Sequence, residues 1–233
     1  AYTFSGHITE KPAAKEAFWT TVDLYGTEWR IVASRPRTEP DIKSLKLPNP
    51  VFDSKVSVEK ALKERRSIRS YKDQPLTTVE ISQLLWAAQG ITSAGKGLRT
   101  APSARAMYLL EVYLISGNIT GISPGMYKYQ PGSHELIKIA GGNAKGDLYA
   151  AVGQSPIKNS PSVLVITGNQ KRSTNPGWMF LEAGHAAQNV FLQAVSLNLG
   201  TVTMAGFQPE AVKRVLGLPE DEQPIYLMPV GKK

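Results

Sequence analysis

The amino-acid sequence predicts an α+β fold, and three observations carry that prediction. Stretches of helical and of strand character are interspersed without a regular strand–helix–strand repeat, which argues against a doubly wound sheet. Val163 to Thr167 is a continuous apolar run of strand length, as expected of a central strand covered on both faces. From Met179 to Leu199, one apolar stripe (Ala183, Ala187, Val190, Ala194, Leu197) and a second (Phe180, Gly184, Phe191, Val195) make a helix that is apolar nearly all round, so it belongs in the interior.

The remaining elements follow in chain order. The first 48 or so residues hold Tyr2, Phe4, Phe18, Trp19, Tyr25 and Trp29 with little periodicity, and these aromatics read as a surface packed on the main domain. Ser34 to Pro50 carries Pro36, Pro40, Pro48 and Pro50 and reads as an extended connection. Val58, Ala61 and Leu62 give a short helix ending near Arg65 or Arg66. Thr77 with Glu80 is a capping box, Ile81, Leu84, Leu85 and Ala88 form the stripe behind it, and Gly90 ends that helix. Leu109 to Ser116 reads as a strand, and Met126 to Tyr129 and Glu135 to Ile139 form a hairpin around Gln130-Pro131-Gly132-Ser133. In the long helix Ala183, Gly184, Ala186 and Ala187 leave room for a second helix to approach. Pro209 to Leu216 is a short helix stopped by Gly217, and Ile225 to Val230 is a closing strand.

Composition narrows the chemistry. The 233 residues suit one large domain, or a domain with an extension. With 42% hydrophobic and 20% charged residues the chain is ordinary for a folded soluble protein, and at this length it buries about 70% of its unfolded surface without needing disulfides. It has no cysteine, which excludes disulfide scaffolds, cysteine nucleophiles, thiolate zinc sites and cysteine-ligated iron–sulfur clusters. The three histidines, His7, His134 and His185, are far apart, and no metal site is expected from them. Lys plus Arg number 27 against 19 Asp plus Glu, a formal charge of +8, which favours anionic partners: nucleic acid, phosphate cofactors and acidic membranes all qualify. No apolar run approaches the roughly 18 residues of a membrane span, and no secretory leader is recognisable. A cytoplasmic location is expected, with an exported form whose leader has been removed left open.

Three motifs tempt and fail. Gly90 to Gly97 approaches a P-loop, but Gly97 stands where Ser or Thr should hold magnesium, and the stretch follows a helix rather than a strand. Gly121-Ile122-Ser123-Pro124-Gly125 has the nucleophile-elbow pattern, yet Pro124 lacks the N–H that the oxyanion requires. Asn118-Ile119-Thr120 is a glycosylation sequon by coincidence. No catalytic nucleophile is expected.

Arg65-Arg66-Ser67-Ile68-Arg69, flanked by Lys63 and Lys72, leaves the first helix for a loop. Two readings stand: a solvated basic patch, or a phosphate cradle in which guanidinium forks straddle a serine hydroxyl while Ile68 turns inward. Arg65 to Tyr71 resembles the N-terminal signature of the nitroreductase family of FMN-dependent oxidoreductases. The resemblance continues in order through Pro75-Leu76-Thr77, Leu84 to Gly90, Arg99 to Ala104, Glu182 to Asn189, Leu199-Gly200, Ala205-Gly206-Phe207 and Pro229-Val230-Gly231. It covers about Leu47 to Gly231, and the branch it is most similar to includes azoline-oxidising dehydrogenases of modified-peptide synthesis. The chain then divides into an N-terminal extension, residues 1–46, suggested to cap a dimer, and an FMN-binding domain, residues 47–233.

The resemblance implies an α/β/α sandwich around a central, mostly antiparallel sheet, and a homodimer with two FMN sites at the subunit interface. It implies that Arg65 and Ser67 hold the FMN phosphate with Arg66 nearby, and that Arg69 faces the N1–C2=O edge of the flavin. It implies that Pro102, Ser103 and Ala104 line the partner subunit's FMN, that Gln154 contacts the pyrimidine edge, that Ala205 and Gly206 present backbone near N5, and that Lys232 adds to the phosphate site. His185 is expected to be a packed, hydrogen-bonded helix residue rather than a proton donor. Hydride addition at N5 leaves negative charge on the N1–C2=O edge, which a cation at Arg69 would stabilise. Three functions remain open: hydride transfer from NADH or NADPH to nitroaromatic, quinone or similar small acceptors by a ping-pong scheme; a flavin-dependent reaction of another kind, such as azoline oxidation in peptides or flavin fragmentation; and a flavin-free basic protein that binds nucleic acid.

Overall fold

The computed structural model describes residues 19–24, 27–32, 44–172 and 175–233, the first two stretches as backbone alone. It divides into two compact units, Ala1–Asp41 and Ile42–Lys233. In the smaller, β1 (Trp19–Leu24) pairs antiparallel with β2 (Thr27–Val32), from Trp19↔Val32 to Leu24↔Thr27. The aromatic side chains of the first 48 residues and the proline-rich stretch up to residue 43 lie outside the described residues.

In chain order the larger unit contains β3 (Ser44–Lys46), α1 (Val58–Glu64), β4 (Leu76–Thr77), α2 (Thr78–Gln89), β5 (Ile91–Ser93), β6 (Leu98–Arg99), β7 (Leu110–Ser116), β8 (Ile119–Thr120), β9 (Gly125–Gln130), β10 (Glu135–Gly141), α3 (Ala144–Val152), α4 (Ser155–Asn159), β11 (Ser162–Asn169), α5 (Pro176–Ser196), β12 (Leu199–Thr201), α6 (Pro209–Leu216) and β13 (Glu222–Lys232). Seven strands form one sheet in the order β12-β13-β11-β7-β9-β10-β3, with every neighbouring pair antiparallel. As expected, the apolar run at Val163 to Thr167 lies in a central strand, β11, between β13 and β7.

Strand alternation separates the two faces of the sheet. Leu110, Val112 and Leu114 of β7 and Leu164 and Ile166 of β11 point to one side, where α2 and α5 supply Leu84, Leu85, Ala183, Ala187 and Val190. Tyr113, Ile115, Val163 and Val165 point to the other, where α3, α4 and α6 supply Leu148, Ile157, Val212 and Leu216. Two apolar cores on opposite faces of one sheet make a three-layer α/β/α sandwich, as expected.

Local signals hold at several ends. The Thr77–Glu80 capping box is formed in both directions, and Gly217 ends α6 at φ 59°, a left-handed turn that glycine adopts freely. Other boundaries move. The larger unit runs from Ile42, and Ser44 to Lys46 pairs with β10 as the outermost strand of the sheet. The long helix begins at Pro176, where the Asn175 side chain accepts the Gly177 N–H at 2.9 Å, and stops at Ser196. Asn198, at φ 55°, then turns the chain so that Leu199 to Thr201 joins β13 as a strand instead of extending the helix. Nor is α5 covered on every side: Ala183, Ala187 and Val190 are buried, while Phe180, Leu181, Gly184 and His185 are exposed in the single chain.

Candidate functional site

Ser57 caps the start of α1, its side chain accepting the Lys60 N–H at 3.2 Å, and Arg65 sits at the helix's C-cap. The Arg66 guanidinium donates to the carbonyls of Lys63 (2.9 Å) and Arg65 (2.8 Å), satisfying backbone acceptors that the helix end leaves open. The Arg65 guanidinium lies 5.1 Å from the ring centroid of Phe191 on α5, within cation–π range.

Beyond α1 the chain is stapled to the sheet. Ser67 forms a parallel bridge with Thr201 of β12, and the Ile68 N–H donates to the Thr201 carbonyl at 2.9 Å. Lys72 bridges Lys232 of β13, its N–H donating to the Lys232 carbonyl at 3.0 Å. The Tyr71 hydroxyl lies 2.8 Å from the Ile68 carbonyl and 3.1 Å from that of Pro229. Burial pushes this phenol up, with the Arg69 charge opposing the shift. Ile68 turns inward as expected, against Gly200, and Tyr71 lies against Gly231. A Cβ at Gly200 would come within 2.6 Å of Ile68 Cγ2, and one at Gly231 within 2.7 Å of Tyr71 Cβ, so side-chain-free backbone on β12 and β13 is what lets the segment approach. Ser67 and Arg69 are thereby held on the exposed side of a strand-like segment whose inward residues are Ile68 and Tyr71.

Lys232 Nζ forms an ion pair with Glu80. Burial alone would raise Glu80, but the bonds from Lys232 and Thr77 hold it below the usual carboxylate range. The Lys232 ammonium is therefore committed to the start of α2, while Lys233 and Arg66 line a hollow of about 70 Å³ with Ile68, Phe191 and Thr201.

From Thr201 the chain runs to Met204, which bridges Leu227, and on to the exposed Ala205 and Gly206. Gln154, the residue before α4, donates from Nε2 to the Gly206 carbonyl at 2.8 Å. No atom lies within 4 Å of where a Gly206 Cβ would stand, so this backbone faces open space. The residues 201–206 thus link the arginine segment to the Gln154–Gly206 contact.

Pro102, Ser103 and Ala104 lie elsewhere, beside the N-terminal half of α5. Ser103 Oγ donates to Glu182 Oε2 at 2.7 Å, and the Pro102 carbonyl is 3.3 Å from His185 Nδ1. His185 is hydrogen-bonded as expected, but its ring is exposed rather than packed. Glu182 and Phe191 are about 13 Å apart along the α5 axis at 1.5 Å per residue. One chain therefore does not bring Ser103 and Arg65 to the same place.

Sequence reasoning missed Glu182 and Thr201 as contributors to the site. Of the two, Glu182 carried a usable signal, the one carboxylate in α5. A larger groove, about 420 Å³, lies between residues 51–58, α2 and α5 and is lined by Phe52, Trp86, Asn189 and Ser196. No helix among the described residues is long and apolar enough to cross a membrane.

The three-layer sandwich has counterparts among known proteins. Residues 62–232 match the sequence profile of the nitroreductase family. The chain belongs to that family. A protein of Methanocaldococcus jannaschii named as a nitroreductase is 38% identical over 201 residues, covering 83% of this chain and 94% of that one. Among solved structures, a nitroreductase-named protein of Ralstonia eutropha superposes with a TM-score of 0.71 at 28% identity, covering 92% of this chain and 97% of that one. Two more distant structures share the fold. One is a nitroreductase-named protein of Desulfovibrio desulfuricans in complex with FMN (TM-score 0.56, 18% identity, 76% and 87% covered). The other is the E. coli microcin synthetase McbBCD complex with truncated pro-MccB17 bound (TM-score 0.62, 21% identity, 87% and 84% covered). Membership in this family makes the chain an oxidoreductase-type protein.

Proposed function

We propose that this nitroreductase-family chain is an FMN-dependent oxidoreductase. In this reading it works as a homodimer and passes reducing equivalents from NADH or NADPH to nitroaromatic, quinone or similar small acceptors. The observation that carries the reading is the segment from Arg65 to Lys72, pinned to β12 at Ser67 and to β13 at Lys72, with Arg66, Ser67 and Arg69 exposed and Arg65 half-buried. A solvated basic patch has no need of such staples.

The donor set fits the cofactor. Arg65, Arg66 and Ser67 would hold the phosphate, as guanidinium forks and a hydroxyl do well. Arg69, beyond the inward-turned Ile68, would face the N1–C2=O edge of the ring. Gln154, bonded to the Gly206 carbonyl, would face the pyrimidine edge and fix the Ala205–Gly206 backbone beside N5. Lys232 would act indirectly, through the Lys72 bridge, with its ammonium on Glu80. Pro102, Ser103 and Ala104 would line the FMN of the partner subunit. Their separation from Arg65 in one chain, and the exposed Phe180 and Leu181 of α5, support a dimer whose site is completed across the interface.

When bound, FMN supplies the two-electron redox chemistry. The chain supplies position and field: fixed cations at the phosphate and at the ring edge where negative charge accumulates, and open backbone where reductant and acceptor stack in turn. No nucleophile or acid–base pair is required of the protein. A peptide substrate is the second reading, favoured by the shared fold of the microcin synthetase complex.

The test is the flavin itself. The purified chain should be yellow, release FMN on denaturation, run as a dimer, and bleach anaerobically with NADH or NADPH. Yellow protein that neither nucleotide bleaches moves the chain to the peptide-oxidising reading. Colourless protein that does not take up FMN overturns the proposal, and steeply salt-dependent DNA binding by such protein would restore the basic binding-protein reading.

A further inference from the structure

We propose that Glu182 is a positioning residue for flavin binding: its buried carboxylate holds Ser103, and through it the Pro102–Ala104 loop, in the shape that lines the cofactor. This rests on the flavin reading above.

Glu182 lies on the inward side of α5 at 2% exposure, among Met179, Ala183 and Ala186 of the main core. A carboxylate there is costly unless it is hydrogen-bonded. Its Oε2 accepts from Ser103 Oγ at 2.7 Å and from the Leu109 N–H at 3.3 Å. Ser103 Oγ accepts in turn from the Tyr108 N–H at 2.7 Å. One carboxylate oxygen thus ties down both ends of the stretch from Ser103 to Leu109, and the serine hydroxyl joins its first residue to Tyr108.

That stretch needs the restraint. Arg105, Ala106 and Tyr108 have φ of 53°, 53° and 49°, a left-handed conformation that residues with side chains hold only when their surroundings over-determine it. The cation facing Glu182 grips the same stretch: Arg99 lies 4.6 Å from the Tyr108 ring centroid and donates to Gln89 Oε1 at 2.8 Å. The Ser103, Leu109 and Leu110 donors and the Arg99 charge all oppose the rise that burial imposes on the Glu182 carboxyl.

Removing the Glu182 carboxylate would leave the Arg99 charge less compensated, so a loss of stability is expected beside the effect on the loop. Glu182 Oε1 is buried and makes no hydrogen bond among the described residues. What an apolar residue cannot do is accept from Ser103 and Leu109 together.

The experiment uses the full-length chain and four variants: Glu182→Ala, Glu182→Gln, Ser103→Ala and the Glu182→Ala/Ser103→Ala double. FMN affinity is read by quenching of flavin fluorescence, and amide hydrogen exchange at Tyr108 and Leu109 is read in the flavin-free chain. Glu182→Ala should weaken FMN binding at least tenfold and speed exchange at both amides at least tenfold. Glu182→Gln keeps an acceptor oxygen and should stay within threefold on both readouts. Ser103→Ala should reproduce most of the affinity loss, and the double variant should be no worse than Glu182→Ala. Unchanged FMN affinity in Glu182→Ala, equal damage in Glu182→Gln, or additive losses in the double variant would each overturn the proposal. If Glu182→Ala does not fold, Ser103→Ala with wild-type affinity overturns it. If the wild-type chain binds no FMN, the flavin reading fails separately, and unchanged exchange at Tyr108 and Leu109 in Glu182→Ala then removes the loop-holding role as well.

Discussion

Placing a methyl group on Gly200 is the most direct way to pry the arginine segment from the sheet. The new Cβ would stand 2.6 Å from Ile68 Cγ2, 2.8 Å from Ile68 Cβ and 3.3 Å from Ile68 Cγ1. Carbon atoms prefer about 3.5–4.0 Å, so the closest pair is short by roughly 1 Å. Rotating the Ile68 side chain does not relieve the clash with Cβ, which moves only with the backbone. The anchor that must give is the Ile68 N–H to Thr201 carbonyl bond at 2.9 Å. A displacement of about 1 Å carries it past useful hydrogen-bond length. Overpacking costs about 1–3 kcal/mol and the lost bond about 1 kcal/mol, together roughly 2–4 kcal/mol. For a chain of this size that is a fall in Tm of roughly 4–16 °C, at about 2–4 °C per kcal/mol. Thermal unfolding without flavin measures the stability loss, and FMN titration measures the loss of cradle geometry, expected to be about tenfold if some 1.4 kcal/mol of the phosphate contact goes. Gly206→Ala is the control, because its Cβ meets nothing within 4 Å: Tm should hold or rise slightly while FMN affinity falls. A Gly200→Ala protein with unchanged Tm and unchanged FMN affinity would refute the stapled-segment argument.

Removing either Arg65 or Arg69 by alanine substitution should weaken FMN binding roughly tenfold to a hundredfold, the worth of a charge-assisted bond at about 1.5–3 kcal/mol; the flavin-to-protein absorbance ratio after gel filtration reads it, and full retention of flavin removes the assignment. Tyr71→Phe, which takes the hydroxyl away from the Ile68 and Pro229 carbonyls, should cost about 0.5–1.5 kcal/mol, seen as a lower denaturant midpoint at constant slope. His134 gives a pH signature. Its ring sits 2.7 Å from Ser82 Oγ, 2.8 Å from the Tyr129 hydroxyl and 3.0 Å from the Pro48 carbonyl, and burial holds its pKa below the ordinary histidine value. The unfolded chain accepts a proton near pH 6.5 that the folded chain refuses, so this part of the stability is complete above that pH and declines below it. In His134→Asn, which tolerates the left-handed φ of 54°, the decline from about pH 6.5 downward should be shallower than in the wild type, and superimposable curves would sink the assignment.

The sequence was most legible where local chemistry decides the structure. Thr77 and Glu80 announce the start of α2, Pro209 and Gly217 bracket α6, and the apolar run at Val163 marks a strand covered on both faces. The arginine segment was legible because three guanidiniums around one serine is an uncommon grouping. Elements that depend on distant partners were not. α3 buries little beyond Leu148 and shows no stripe, and α4 is only Ser155 to Asn159, so neither announces itself. The strand at Ser44 to Lys46 exists because β10 offers an edge some ninety residues later in the chain, with Glu135 opposite Lys46. The C-terminal end of α5 was misplaced because Leu197 and Leu199 suit a helix as well as a strand, and only β13 decides between them. The same limit hid the Ser103–Glu182 bond.

The pairing of Lys72 with Lys232 has a consequence for biosynthesis. The residues that would grip a phosphate leave the ribosome about 160 residues before the strand that fastens them. A nascent chain lacking β13 has the arginines but nothing to hold their spacing. Flavin capture should therefore wait until β13 has been made and has paired with Lys72.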